Sequence, residues 1–206
     1  ALTEADVLVE NKLFATLDPV TRHVTLPGNQ EALLTDTVGF IQKLPTKLVA
    51  AFRATLEEVI DADLLLEVVD VSHENSIEQS ETVNDTLRDL EASGKPRVTA
   101  LNKIDLLADP STLDLTLYPN AVPISALKRT GLDALLERIA QVLAESMEQV
   151  QALIPYDRTE LVELFHRRGS VEREEHHPTG TLLSGRIPRV LHAYYAPYLA
   201  HHDHTR

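Results

Sequence analysis

From Glu31 to Met147, short apolar runs alternate with amphipathic stretches, and this alternation constrains the fold more than any other feature of the chain. It is the pattern of βα units wound around a parallel sheet. Residues 32–35 (Ala-Leu-Leu-Thr) form the first buried strand of the series, and residues 64–69 (Leu-Leu-Leu-Glu-Val-Val) form a second, whose near-continuous apolar character suits burial on both faces. Between them Leu48, Phe52, Leu56 and Val59 recur at helical spacing, which predicts a helix over 47–60 with one core face. A further helix is expected over 76–92, stopped by Gly94-Lys95-Pro96, with Gly94 at the position just past the helix end. Strands follow at 97–101 and 121–124, then a helix over 131–147 carrying Leu132, Leu135, Leu136, Ile139 and Leu143.

The ends of the chain differ in character. Residues 1–3 resemble the end of a helix, 13–19 a loop and 21–26 a strand in which Arg22 and Val24 flank His23. After residue 150 a strand is expected at 151–154, a short helix over 159–168 packing Leu161, Leu164 and Phe165, and a hairpin of 170–175 with 181–187 turning at Pro178-Thr179-Gly180. Charge separates the parts: residues 151–206 balance seven Lys/Arg against seven Asp/Glu, so the formal net charge of −13 resides in residues 1–150, with 12 basic and 25 acidic side chains. Two domains are therefore expected, an α/β domain over 1–148 and a small α+β domain over 149–206.

An acidic domain is poorly suited to sequence-independent binding of a phosphate backbone, which requires clustered Lys and Arg. The absence of cysteine excludes disulfides and thiolate metal sites. No apolar run approaches the roughly 20 residues that cross a bilayer. A cytoplasmic setting without a membrane span is the expectation.

In an open parallel sheet, ligands bind in the crevice outside the carboxyl ends of the strands. Here Asp36 follows the first strand of the series, Asp70 the second, Asn102-Lys103-Ile104-Asp105 the third and Ser125-Ala126-Leu127 the fourth. Singly, each is an ordinary strand-ending turn former. Jointly, they place polar groups along one rim. The adjacent His176-His177 point to opposite faces of a strand and make a poor metal site. Tyr194, Tyr195 and Tyr198 suit packing of the small domain better than a nucleic-acid platform, and Asp61, Asp63, Glu172, Glu174 and Glu175 suit a solvated surface.

Asp36-Thr37-Val38-Gly39 has the pattern Asp-x-x-Gly, and Asn102-Lys103-Ile104-Asp105 has Asn-Lys-x-Asp, about 65 residues later and followed some 20 residues on by Ser125-Ala126-Leu127. With these motifs the chain resembles the P-loop GTPases. Longer runs narrow the resemblance to the ribosome-associated HflX-type GTPases of the translation-factor-related class. They are 14–22 (Phe-Ala-Thr-Leu-Asp-Pro-Val-Thr-Arg), similar to that family's first switch, and 34–41 with Leu44-Pro45 and 48–58, similar to its second switch and following helix. The resemblance covers roughly residues 1–150 well and 151–206 loosely.

The resemblance implies a GTPase-type domain with a mostly parallel sheet flanked by helices. It also implies a protein that binds GTP and GDP, hydrolyses GTP and couples nucleotide state to the ribosome, with the large subunit as expected partner, subunit splitting as the action and a monomer as the expected state. Asp105 would accept two hydrogen bonds from the guanine ring NH and exocyclic amine, a donor pair that adenine does not present, which disfavours an ATPase. Asn102 would bond the base edge, the Lys103 stem would lie along the ring face, and the Ala126 amide would face the guanine keto oxygen, with Ser125 and Leu127 beside it. At the phosphate end, Asp36 would hold Mg²⁺ through a water and Thr16 would ligate it directly, Thr16 lying among Phe14, Ala15, Leu17 and Asp18 of the first switch. Thr37, Val38 and Gly39 complete the nucleotide-binding set, the Gly39 amide reaching the γ-phosphate.

Two departures stand out. No Gly-x-x-x-x-Gly-Lys-Ser/Thr occurs in the 206 residues, so the chain is expected to be a fragment, beginning after the phosphate loop and first strand, lacking an N-terminal domain, and inactive alone. Phe40 stands where many GTPases carry the glutamine that orients water, so no catalytic residue is assignable and intrinsic hydrolysis should be slow. The rival expectation is a non-catalytic ribosome- or protein-binding module of GTPase fold that has lost nucleotide binding.

Overall fold

The computed structural model describes Leu2, residues 20–37 and residues 58–200, and divides into two compact units, residues 1–142 and 143–206. The expected helix end at 1–3, the loop at 13–19 and most of the helix at 47–60 lie outside the described residues, as do Phe14 to Asp18, Val38, Gly39, Phe40 and the tail histidines 201, 202 and 204.

In the first unit, β1 (Val20–Leu26) and β2 (Gln30–Asp36) form an antiparallel hairpin with Val20 opposite Asp36 and Leu26 opposite Gln30. The chain reverses through Gly28 and Asn29, both at positive φ (81° and 60°), a backbone region these two residue types tolerate best. This corrects the reading of residues 32–35 as a buried strand of the parallel series. Alternation along β2 puts Ala32 and Leu34 on one face and leaves Leu33, on the other, 64% exposed.

β3 (Leu65–Asp70), β4 (Arg97–Asn102) and β5 (Ala121–Pro123) form a parallel sheet in that order, in a register that sets Asp70 beside Asn102. Val98, Thr99, Ala100 and Leu101 are fully buried, so burial on both faces holds for the central strand β4. It fails for β3, an edge strand among the described residues, whose Val68 is 61% exposed. On one side Val59, Leu87 and Ala92 make a cluster joined by Leu65, Val83 and Leu90, and another cluster gathers Val69, Leu101 and Tyr118.

The helix α1 (Ser76–Asp89) crosses over between β3 and β4, and its stop differs from expectation. The Ala92 N–H reaches back to the Leu87 carbonyl (2.8 Å), the Glu91 N–H reaches the Arg88 carbonyl (3.1 Å), and Glu91 has φ 57°. This is a Schellman motif with Glu91, not Gly94, in the left-handed position. Burial of Ala92 against Leu87 offsets the cost of that conformation in a residue with a side chain. The helix α2 (Leu132–Ser146) buries a single stripe of Leu132, Leu135, Ile139 and Val142.

In the second unit, β6 (Met147–Pro155), α3 (Thr159–Arg168), β7 (Ser170–His177) and β8 (Gly180–Pro188) follow in chain order. The strands form an antiparallel sheet ordered β6, β8, β7, and α3 sets Leu161 and Phe165 into a core with Val150, Ala152, Ile154, Leu183, Ile187 and Tyr195. Tyr195 meets Phe165 edge to face, with ring centroids 5.4 Å apart, and donates its hydroxyl to the Leu161 carbonyl at 2.8 Å. Burial pushes the phenol up to about 12, which keeps it a protonated donor. Tyr195 is thus core, while Tyr194 is exposed and Tyr198 accepts a hydrogen bond from Arg158.

Candidate functional site

The parallel sheet delivers Asp70, Asn102 and, just past β5, Ser125 to one rim, because each ends or follows a strand running in the same direction. Backbone hydrogen bonds tie these ends together: the Val71 N–H donates to the Asn102 carbonyl (3.1 Å), Ile104 N–H to the Ile124 carbonyl (3.2 Å) and Ile124 N–H to the Leu101 carbonyl (2.8 Å). Asp36 ends β2 in the hairpin, not in this sheet. The rim of the parallel sheet therefore holds three of the four polar groups expected there.

At the end of β4 the chain turns sharply. Lys103 has φ 69° and ψ 31°, in the left-handed region, and a single helical turn, Ile104–Leu106, follows. That reversal brings Asn102 and Asp105 to the Ser125 loop. Ser125 Oγ donates to Asp105 Oδ1 at 2.5 Å, and the Ala126 N–H donates to Asn102 Oδ1 at 3.0 Å. The loop is closed in turn. Ser125 and Thr130 exchange backbone hydrogen bonds of 3.0 and 3.1 Å, and the Lys128 N–H donates to Ser125 Oγ at 3.0 Å. Gly131 completes the loop at φ 75°, where an added Cβ would lie 2.4 Å from the Pro123 carbonyl oxygen, so only glycine fits.

The result is a buried serine holding an exposed carboxylate. Ser125 is 1% exposed and occupies one oxygen of Asp105, whose carboxylate otherwise faces solvent and can accept two parallel N–H donors from a planar ligand edge. Leu127, next to Ala126 in the same loop, is 81% exposed. One detail departs from expectation: the Ala126 amide, assigned to the keto oxygen of a base, already donates to Asn102, so a ligand oxygen would have to displace the Asn102 side chain.

Lys103 also behaves differently from a free stem. Its Nζ lies 2.6 Å from Asp70 Oδ2, and Asp70 Oδ1 accepts from both the Ser72 N–H (3.0 Å) and the Ser72 hydroxyl (2.6 Å). Burial works to raise the Asp70 carboxyl, but the hydrogen bonds from Lys103 and Ser72 outweigh it and hold the group below the usual carboxylate range. A depressed folded-state value means that the contribution is complete above the ordinary carboxylate range and fades only as the pH falls through the lowered one, so Asp70 is a carboxylate at neutral pH. Asp70 stood on the expected rim, but its partnership with Lys103 was missed. The available signal was Asp70-Val71-Ser72, an Asp-x-Ser turn directly after an apolar strand.

Thr37 follows β2 and is described, while the remaining nucleotide-binding candidates, Phe14, Ala15, Thr16, Leu17, Asp18, Val38 and Gly39, lie outside the described residues. Among the described residues no group of three or more His, Asp and Glu side chains is arranged to hold a metal, and no helix is long and apolar enough to cross a membrane.

Comparison with known proteins follows the same lines. The family described as 50S ribosome-binding GTPase matches residues 1–103. A protein named GTPase HflX from Caldanaerobacter subterraneus subsp. tengcongensis is 46% identical over 188 residues, covering 91% of this chain and 43% of its own. The solved structure titled as the SsGBP and GDP complex is 34% identical with a TM-score of 0.53, over 62% of this chain and 43% of that one. A structure of Era in complex with MgGDPNP and a segment of 16S ribosomal RNA, 21% identical over 63% of this chain and 44% of that one with a TM-score of 0.50, shares the fold. The chain spans a little under half the length of the curated relatives it matches.

Proposed function

The chain belongs to the 50S ribosome-binding GTPases and, among them, to the HflX-type proteins, and from that premise we propose that its parent protein binds GTP and GDP, hydrolyses GTP with Mg²⁺, and uses the nucleotide state to control its attachment to the large ribosomal subunit and the separation of subunits. The observation that carries the reading is the convergence of Asn102, Asp105, Ser125 and Ala126 at the carboxyl rim of β4 and β5. A carboxylate held open by a buried serine matches the paired N–H donors of guanine and offers adenine nothing equivalent.

Base recognition is the part this chain supplies. No Gly-x-x-x-x-Gly-Lys-Ser/Thr occurs in its residues, so they do not supply the amides and lysine of such a loop, and their share of the phosphate contacts rests with Thr37, Val38 and Gly39. Asp36, an exposed carboxylate at a strand end, would hold Mg²⁺ through a water, and Thr16 is the candidate direct ligand. The ion would neutralise phosphate charge when bound. Thr37, Val38 and Gly39 would meet the phosphates, Phe14, Ala15, Leu17 and Asp18 are the further candidates beside Thr16 in the sequence, and Leu127 would flank the base.

Phe40 follows Gly39 and has no group that could hydrogen-bond a water molecule, so the attacking water must be positioned by another element or by the partner. Turnover of the full-length protein is therefore expected to rise at least about tenfold on addition of large ribosomal subunits, equivalent to about 1.4 kcal/mol of barrier. Phosphate release measured with and without subunits tests this. Equal rates would contradict the partner dependence, and no hydrolysis in either condition would favour the rival reading, a binding module of GTPase fold.

A further inference from the structure

We infer that Asp70 is a positioning residue for the nucleotide site, holding the Lys103 stem against the base and so slowing nucleotide release. The inference rests on the guanine-binding reading above, and it assigns a role to a residue outside the motifs that define that reading.

Three observations carry it. Asp70 is anchored independently of its partner: one carboxylate oxygen is held by two hydrogen bonds from Ser72, while the backbone just beyond, at Val71, is tied to the Asn102 carbonyl. The second oxygen meets Lys103 Nζ at 2.6 Å. Lys103 is the residue whose left-handed backbone separates Asn102 from Asp105, so its side chain leaves the loop in a different direction from theirs, back toward β3. A four-carbon lysine stem left free at the surface samples many rotamers, and ordering it on ligand binding would cost conformational entropy. Asp70 orders it in advance. The stem then spans the rim from β4 to β3, with its ammonium neutralised and its methylenes available to a flat ring. The ion pair is half exposed, with the lysine side chain 49% and the aspartate side chain 33% accessible, so its value lies in where it keeps the stem more than in its own strength.

The test measures release of a fluorescent GDP analogue from the full-length protein. Asp70→Asn, which keeps the size of the side chain and its turn with Ser72 but removes the charge, is expected to speed release about tenfold and to leave association nearly unchanged. Asp70→Glu is expected to restore part of the slow release. Lys103→Met supplies the discriminating background: because Asp70 acts through Lys103, adding Asp70→Asn to Lys103→Met should change release less than twofold. An equal acceleration in both backgrounds, or no acceleration in either, would overturn the inference. Thermal melting of each variant without nucleotide separates a folding defect, and a loss of melting temperature that tracks the release rate would also count against it. If the unaltered protein fails to bind the analogue, the guanine-binding reading itself falls. If it binds and Asp70→Asn behaves as wild type, that reading stands and only the role of Asp70 is wrong.

Discussion

Asp105→Asn is expected to convert the full-length protein from a guanine binder into a xanthine binder. A carboxylate accepts from both the ring N–H and the exocyclic amine of guanine, whereas an asparagine amide offers one acceptor and one donor. Xanthine presents a ring N–H and a second keto oxygen, the complement of that amide. A charge-assisted pair contributes about 2–3 kcal/mol, so guanine affinity should fall about 30- to 150-fold and xanthine affinity should rise by a comparable factor. The relative preference would then swing by about three to four orders of magnitude. The structure explains why the substitution can act cleanly: Asp105 is exposed, and its one described partner, the Ser125 hydroxyl, can still donate to an amide oxygen. Titration of the variant with GDP and with xanthosine diphosphate is the measurement, and an unchanged preference would remove Asp105 from the base site.

The second large effect concerns the 206-residue polypeptide by itself, which is expected to show no measurable binding of GTP with Mg²⁺. Backbone amides of a glycine-rich loop and its lysine would each contribute about 1.5–3 kcal/mol to a triphosphate, and the loss of several lowers affinity by many orders of magnitude. The charge of residues 1–150, 12 basic against 25 acidic, works in the same direction by repelling the phosphates. Asn102, Asp105 and Ser125 still converge in this chain, so what is lost is anchoring and not recognition. Calorimetry on the polypeptide should show no heat of binding, while a longer protein containing a phosphate loop should bind. Micromolar affinity for the polypeptide would mean that another segment performs the task of the loop.

How far these features could be read from sequence varied with the kind of signal. β4 is legible as a short run, Arg97 to Leu101, directly after the Gly94-Lys95-Pro96 stop, although its place as a central strand shows only in the full burial of Val98 to Leu101, and α3 is legible because Leu161 and Phe165 recur at helical spacing between a Pro-Tyr-Asp turn and Gly169. β2 is legible as a strand but not in its pairing, since a short apolar run does not say whether its neighbour is parallel. The Gly28-Asn29 reversal ahead of it was the stronger cue. The stop of α1 at Glu91 was hidden because the left-handed position was set by the tertiary packing of Ala92 on Leu87, which outweighed the preference for glycine. Within the candidate site, the order of Asn102, Asp105 and Ser125 along the chain implies their meeting at one rim. The Lys103–Asp70 pair and the engagement of the Ala126 amide by Asn102 depend on a backbone torsion at Lys103 that no local pattern encodes.

The central claim is that Asn102, Asp105 and the Ser125 loop recognise guanine. Competition between GDP and ADP for the full-length protein, read by displacement of a fluorescent GDP analogue, addresses it directly. With a carboxylate pair worth about 2–3 kcal/mol present for one base and absent for the other, GDP should displace the analogue at concentrations at least about 30-fold lower than ADP. Displacement by ADP and GDP at the same concentration would contradict the assignment of the site.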